Sequence, residues 1–379
     1  MASTDEWAKK LFDIARQCTG YYHPYLETGS HSLYDVLLPH VQSCQETARY
    51  FQCRGNFEFA QGHYEQAMEC MFASVRMGRT MQSGSGTCVE HLVGIAMTGM
   101  GSYQLTTYLA NLPKEKDAAW FLQMKKEYDA IETAIPVPWL PKWHQFERYM
   151  PLALIQLTAA EPKVFDEFFR EQSRCEPNGD EMLAKYDKLF NAGIEYDWNE
   201  ILKQVNAFYD DWEEVLLIPN WQRRLRAATR LEQRVVEYST RNVDSSDSPE
   251  RRATDFLLGT FGTSTGATMY TLVRTEWRGL VASVAFSLAA YRADHNGESP
   301  DTLEQLVPKY LAEVPLSPYT DKPLRYIKRP HDVLIANDDE YLFDGSEEEV
   351  EKKISEAKSG EFAYIFYQLD QHCVFVAAK

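Results

Sequence analysis

A mainly helical chain, α+β overall, is predicted by three features of the 379-residue sequence. Apolar side chains recur at spacings of three and four through most of residues 1–260. A second stripe, from Met269 through Val273, Trp277, Leu280, Val284 and Leu288 to Tyr291, marks one long helix after residue 266. Turn residues and short β-favouring runs crowd only the region beyond that helix. The expected layout is a helical body over 1–260, then the long helix with a small α+β unit over 266–379.

Within the body, residues 32–81 read as a helix pair. Gly55, Gly62, Tyr64 and Ala67 stand where a tetratricopeptide helix hairpin places its small and aromatic residues, so this stretch resembles one such hairpin. Its glycines suit a close helix approach and a turn, and Ala67 suits a crowded contact. One repeat cannot bury both its faces, so the hairpin is expected inside a larger helical domain. Residues 86–112 and 115–134 follow as helices. The Pro-rich "IPVPWLPKW" at 135–143 predicts a rigid non-helical connection. Helices resume at 144 and break near 175–180. Over 197–219, Trp198, Ile201, Val205, Phe208, Trp212 and Val215 share one helical face, with Asp197 as the expected N-cap. "RNVDSSDSPERR" at 241–252 predicts an exposed loop. Past the long helix, 295–311 predicts a stop at Asn296-Gly297 and a short helix with Pro300 in its first turn. A charged surface helix over 346–360 and two closing strands complete the expected order.

Composition narrows the function classes. A net charge of -17 and a pI near 5.0 oppose binding to nucleic acid and to anionic membrane, and favour solubility. Seven cysteines without C-x-x-C spacing exclude zinc-ribbon and thioredoxin-like sites, and most fall in helical apolar patterns as small hydrophobes. The first residues are amphipathic, with no signal-peptide core. The longest apolar run, 279–291, lies between Arg278 and Arg292 and is too short to span a bilayer. Membrane attachment is therefore expected only through an anchor ahead of Met1.

The most catalytic-looking motif is "GTSTG" at 262–266, which fits G-x-S-x-G and makes Ser264 a candidate nucleophile. An elbow needs a strand before the turn. Ala253, Phe256, Leu257 and Phe261 instead predict a helix, so a loop and helix N-terminus is the expected reading. The acidic run 337–349 makes Asp338, Asp339 and Asp344 candidate calcium ligands, though EF-hand spacing is absent and a solvated turn is expected. The histidines lack ligand spacing; His23 and His31 share a Tyr-rich loop, and His144 and Glu147 one helical face. The acids of 209–214 are expected on the solvent side opposite Trp212. No cofactor is expected.

Residues 291–326 carry a further likeness. Tyr291, Gly297, Pro300, Leu303, Tyr310, Pro315, Pro318, Pro323 and Tyr326 resemble the C-terminal segment of type II secretion pseudopilins, which runs from a long helix through a glycine turn and a proline-led helix to a strand. With residues 76–97 and 196–212, the chain also resembles large planctomycete-type proteins that carry this segment near their C-terminus. That resemblance implies a body on the exported side of a membrane, held by an N-terminal anchor. Two pseudopilin features have no counterpart here, the apolar filament helix and the calcium loop. The expected function is a non-enzymatic helical scaffold or protein-interaction protein of the envelope or secretion apparatus, recognising a protein partner. A serine hydrolase using Ser264 and a small-ligand or calcium-binding envelope protein are the alternatives.

Overall fold

A computed structural model describes residues 10, 12–18, 20–21, 38–84, 86–112, 116–135, 142–174, 178–190, 193–240, 247–262, 265–328, 332–336 and 373–377. It is mainly helical, as the sequence predicts. The main helices are α1 (Pro39–Ala60), α2 (Tyr64–Gly84), α3 (Cys88–Asn111), α4 (Ala118–Ala134), α5 (Lys142–Ala160) and α6 (Pro162–Ser173). They continue as α7 (Gly179–Phe190), α8 (Trp198–Leu216), α9 (Trp221–Thr240), α10 (Pro249–Phe261) and α11 (Thr265–Asp294). Strands β1 (Arg325–Lys328), β2 (Asp332–Ala336) and β3 (Cys373–Ala377) form an antiparallel sheet in the order β1-β2-β3. Tyr326 pairs with Ile335, and Ile335 with Val374.

Two apolar clusters organise the helices. One joins α1, α2, α3, α4 and most of α11 around Phe51, Met68, Phe72, Leu105, Tyr128 and Phe286. The other joins α5 to α10 around Trp143, Phe165, Tyr186, Phe208, Trp212 and Phe256. The long helix α11 serves both: Met269 and Leu272 enter the second cluster, and Val273 to Ala290 enter the first. The periodicity of α8 is expressed as expected, with Ile201, Val205, Phe208 and Trp212 buried to 2% exposure or less. Asp197 caps it by accepting from Asn199 N at 3.0 Å and Glu200 N at 3.3 Å. Asp197→Ala is expected to cost about 1 kcal/mol, read as a shift in urea unfolding.

α1 and α2 form a helix hairpin. Gly62 takes φ +81° at its turn, a conformation that costs glycine little. Ala67 is fully buried, and the Tyr64 ring meets Phe59 edge-on at 5.2 Å. Gly55 lies against Tyr108, Met71 and Cys70. Helices α2 and α3 approach closely through a pair of glycines. A Cβ on Gly78 would stand 2.6 Å from the Gly94 carbonyl, and one on Gly94 would stand 2.7 Å from the Gly78 carbonyl. The two backbones touch at this crossing.

Two expectations are corrected. The loop expected over 241–252 ends by Ser248, whose Oγ accepts from Arg251 N and starts α10 at Pro249. Proline at the first helical position forfeits no hydrogen bond, which is why the helix starts inside a polar run. Pro300 does not open a helix. The helical turn is a four-residue 3-10 segment at Leu303–Leu306, because residues 299–301 are held by β1. Tyr326 Oη donates to Pro300 O at 2.7 Å and Lys328 Nζ to Ser299 O at 2.8 Å. Pro315 and Pro318 border a turn closed by Ser317 N to Lys322 O at 2.7 Å and Leu324 N to Pro315 O at 3.1 Å.

Candidate functional site

A buried polar cluster lies where α2 meets α3, around Thr87 and Glu90. Thr87 and Glu90 form a capping box at the start of α3. Thr87 Oγ1 accepts from Glu90 N at 3.2 Å, while Glu90 Oε2 accepts from Thr87 N at 2.9 Å and Gly86 N at 3.2 Å. Glu90 is fully buried, and two distant residues complete its shell. Tyr21 Oη donates to Oε1 at 2.5 Å, and His40 Nε2 lies 2.9 Å from the same oxygen. A buried carboxylate is tolerable only with such a set of donors.

At the next residue, His91 Nδ1 bonds Gln82 O at 3.3 Å. Gln82 Nε2 in turn reaches Thr98 Oγ1 at 2.8 Å. From α5, Glu147 Oε1 accepts from Cys88 N at 3.1 Å and so caps α3 from a second helix. Cys88 Sγ sits 3.4 Å from Thr268 Oγ1 of α11. His144 and Glu147 do share a face of α5, and both are buried. The Trp143 ring stands between the histidines, 5.8 Å from His91 and 6.3 Å from His144.

These environments set the ionisation states. Burial draws His91 down to about 4 and, with help from the nearby Arg148 charge, draws His144 down to about 4. Burial pushes the Cys88 thiol up to about 12, which makes it a poor nucleophile near neutrality. Chemically, the cluster contains two neutral imidazoles, His91 and His144, a protonated Cys88 thiol and the multiply hydrogen-bonded carboxyl of Glu90. It holds α2, α3, α5 and α11 in register.

A second junction is built on Arg79 of α2. Arg79 Nε donates to Ile135 O at 3.1 Å, and Nη1 reaches Glu132 of α4 at 2.8 Å and Glu276 of α11 at 3.2 Å. One guanidinium thus serves two carboxylates. Burial pushes the Glu132 carboxyl up, to about 7, against the pull of Arg79 and with a further push from Glu276. The folded state favours the protonated acid. The stability this contributes is present below the ordinary carboxylate range and is lost as pH rises toward 7. Glu132→Gln is expected to exceed the wild type by about 1–3 kcal/mol at pH 8 and to lose that advantage at pH 5, measured by urea unfolding at both.

Ser264, Asp338, Asp339 and Asp344 lie outside the described residues, as do His23 and His31. Ahead of Ser264 stands helix α10, ending at Phe261 with Gly262 N bonded to Leu258 O at 2.8 Å, so the strand an elbow requires is replaced by a helix. The acids of 209–214 face solvent as expected: Trp212 is buried, and Asp210 and Asp211 are about half exposed beside Arg148 and Arg234. Among the described residues, no group of three or more His, Cys, Asp and Glu is placed to hold a metal ion, and no helix is long and apolar enough to cross a membrane. Sequence reading missed Glu90 and Arg79. Thr87-x-x-Glu90 was the available signal for the first; nothing local marks Arg79. The chain matches no family model, no curated protein and no solved structure.

Proposed function

We propose that this chain is a non-enzymatic helical scaffold or protein-interaction protein in an envelope- or secretion-associated setting. The observation that carries the reading is the use of its interior polar groups. Glu90, Arg79, Gln82 and Glu147 each bond a separate segment of the same chain, as joints do. The surface best suited to a partner is a groove of about 460 Å³ between the starts of α1 and α3, lined by Leu38, Val41, Gln45, Arg49 and Val89. Val89 is 52% exposed there. A partner helix laid in the groove would meet Leu38, Val41 and Val89 interleaved with Gln42, Gln45, Glu46 and Arg49.

The tetratricopeptide likeness of α1 and α2 is supported by the positive φ of Gly62 and the buried Ala67. The pseudopilin likeness of 291–326 is supported by the order of long helix, glycine turn at φ +90°, 3-10 turn, proline turn and antiparallel strands. The test is a pull-down from native lysate with wild type and a Val89→Asp, Arg49→Glu variant of unchanged melting temperature. A stoichiometric partner held by the first and released by the second is expected. A partner held equally by both, or fluorophosphonate labelling abolished by Ser264→Ala, contradicts the reading.

A further inference from the structure

We propose that the exposed face of α9 is a docking strip for an acidic helix of a protein partner. Residues 215–231 hold four arginines and no acid, in a chain whose net charge is -17. Helical spacing divides the four. Arg224 turns inward, where its Nε donates to Ile218 O at 2.7 Å and its guanidinium lies 4.2 Å from the centre of the Trp221 ring. Arg223, Arg226 and Arg230 stand exposed on one face, at i, i+3 and i+7. They span about 10 Å along the helix axis. Among the described residues neither Arg223 nor Arg230 has an ion pair, while Arg226 is engaged elsewhere in the chain. Acids bound the strip: Asp321 accepts from Asn220 ahead of the helix, and Glu237 is exposed beyond Arg230. Arg234, also beyond it, is neutralised by Asp211 at 2.6 Å.

Charge and length choose the partner. Each guanidinium can donate two parallel N–H bonds to one carboxylate. Glutamates at i, i+3 and i+7 of a partner helix repeat along the same ~10 Å as the arginines. A single exposed pair is weak, so the strip works through several at once. A nucleic acid or an anionic membrane would also lie over the acids beyond the ends of the strip, within the Debye length of about 8 Å. There the negative charge of the chain repels it. A short acidic helix covers the arginines alone. The strip shares no residue with the groove between α1 and α3, so it serves a second contact.

Alanine-based helical peptides carrying Glu, or Gln, at i, i+3 and i+7 serve as probes, with binding to the purified full chain followed by fluorescence anisotropy. A chain of net charge -17 attracts cations, so saturable binding of an anionic peptide reports the strip. The Glu peptide is expected to bind saturably, more weakly as salt rises, and the Gln peptide not to bind. Arg223→Glu, Arg230→Glu is expected to weaken the Glu peptide at least ~10-fold. Lys126→Glu, Lys163→Glu makes the same change of net charge at exposed sites on α4 and α6, and is expected to stay within about 2-fold of the wild type. Arg223→Gln, Arg230→Gln removes charge without reversing it, is expected to lose part of the affinity, and keeps the test valid if the reversal fails to fold. The proposal is overturned if the Glu peptide does not saturate, if the Gln peptide binds as well, if the arginine variants bind like the wild type, or if the lysine variant loses as much. Displacement of the peptide by oligothymidylate or by phosphatidylserine vesicles would also overturn it, in favour of a general polyanion site.

Discussion

Gly94→Ala and Gly78→Ala are each expected to lower the unfolding free energy by about 2–3 kcal/mol. The added methyl would meet the facing carbonyl at 2.7 Å for Gly94 and 2.6 Å for Gly78. Both obstacles are backbone in the middle of helices, so relief requires α2 and α3 to separate. Separation would stretch the contacts that converge there, including Gln82 to Thr98 and Ser74 to Met97 O. Alanine's better helix propensity returns about 1 kcal/mol, too little to offset the clash. Gly99 provides the control on the same helix. Its Cβ would stand 3.4 Å from the Arg278 guanidinium, a flexible neighbour. Gly99→Ala is expected to fall within about 1 kcal/mol of wild type, on the stabilising side. Urea unfolding of the three variants checks the account. Equal stability of Gly94→Ala and Gly99→Ala would contradict a backbone crossing at Gly94.

Acid is the second large lever. His91 and His144 are held near 4 in the fold, whereas an unperturbed histidine titrates near 6.5. In that window the unfolded chain binds more protons than the folded one. Stability is therefore lost as pH falls from about 6.5 toward 4, by on the order of 3 kcal/mol per histidine. Glu132 acts in the opposite sense, gaining its proton more readily in the fold as pH falls. With two histidines against one such carboxylate, the net contribution of these three groups is a loss. His144→Phe isolates one of them, because the side chain lies among the rings of Trp143 and Tyr209 and an apolar ring suits that setting. The stability difference between variant and wild type is expected to move in favour of the variant between pH 7 and pH 4.5. A difference that stays constant across that range would mean that His144 is not held neutral by the fold.

The sequence made some of this legible and hid the rest for physical reasons. Helix α8 could be read because its whole apolar stripe faces one cluster, so period and burial coincide. The helix ahead of "GTSTG" could be read because Ala253, Phe256 and Leu257 keep helical spacing up to the glycine. The G-x-S-x-G pattern itself could not decide the matter, since small residues serve a strand elbow and a helix start equally well. The backbone contact of Gly78 with Gly94 was hidden because glycine inside a helix looks locally like weak helix propensity. The partners of Glu90 were hidden by distance: Tyr21 and His40 lie 69 and 50 residues away in sequence, and Glu276 lies 197 from Arg79.

The central claim is that the buried polar cluster at the start of α3 is a joint between helices and not a reactive site. Glu90→Gln tests it most directly. The substitution puts an NH2 donor in place of one of the two carboxyl oxygens to which Tyr21, His40 and two backbone N–H groups are directed, while nearly preserving shape. If the cluster is a joint, urea unfolding at pH 7 should show a loss of about 2–4 kcal/mol. A Glu90→Gln variant as stable as the wild type, or more stable, would contradict the claim and return this cluster to consideration as a site of chemistry.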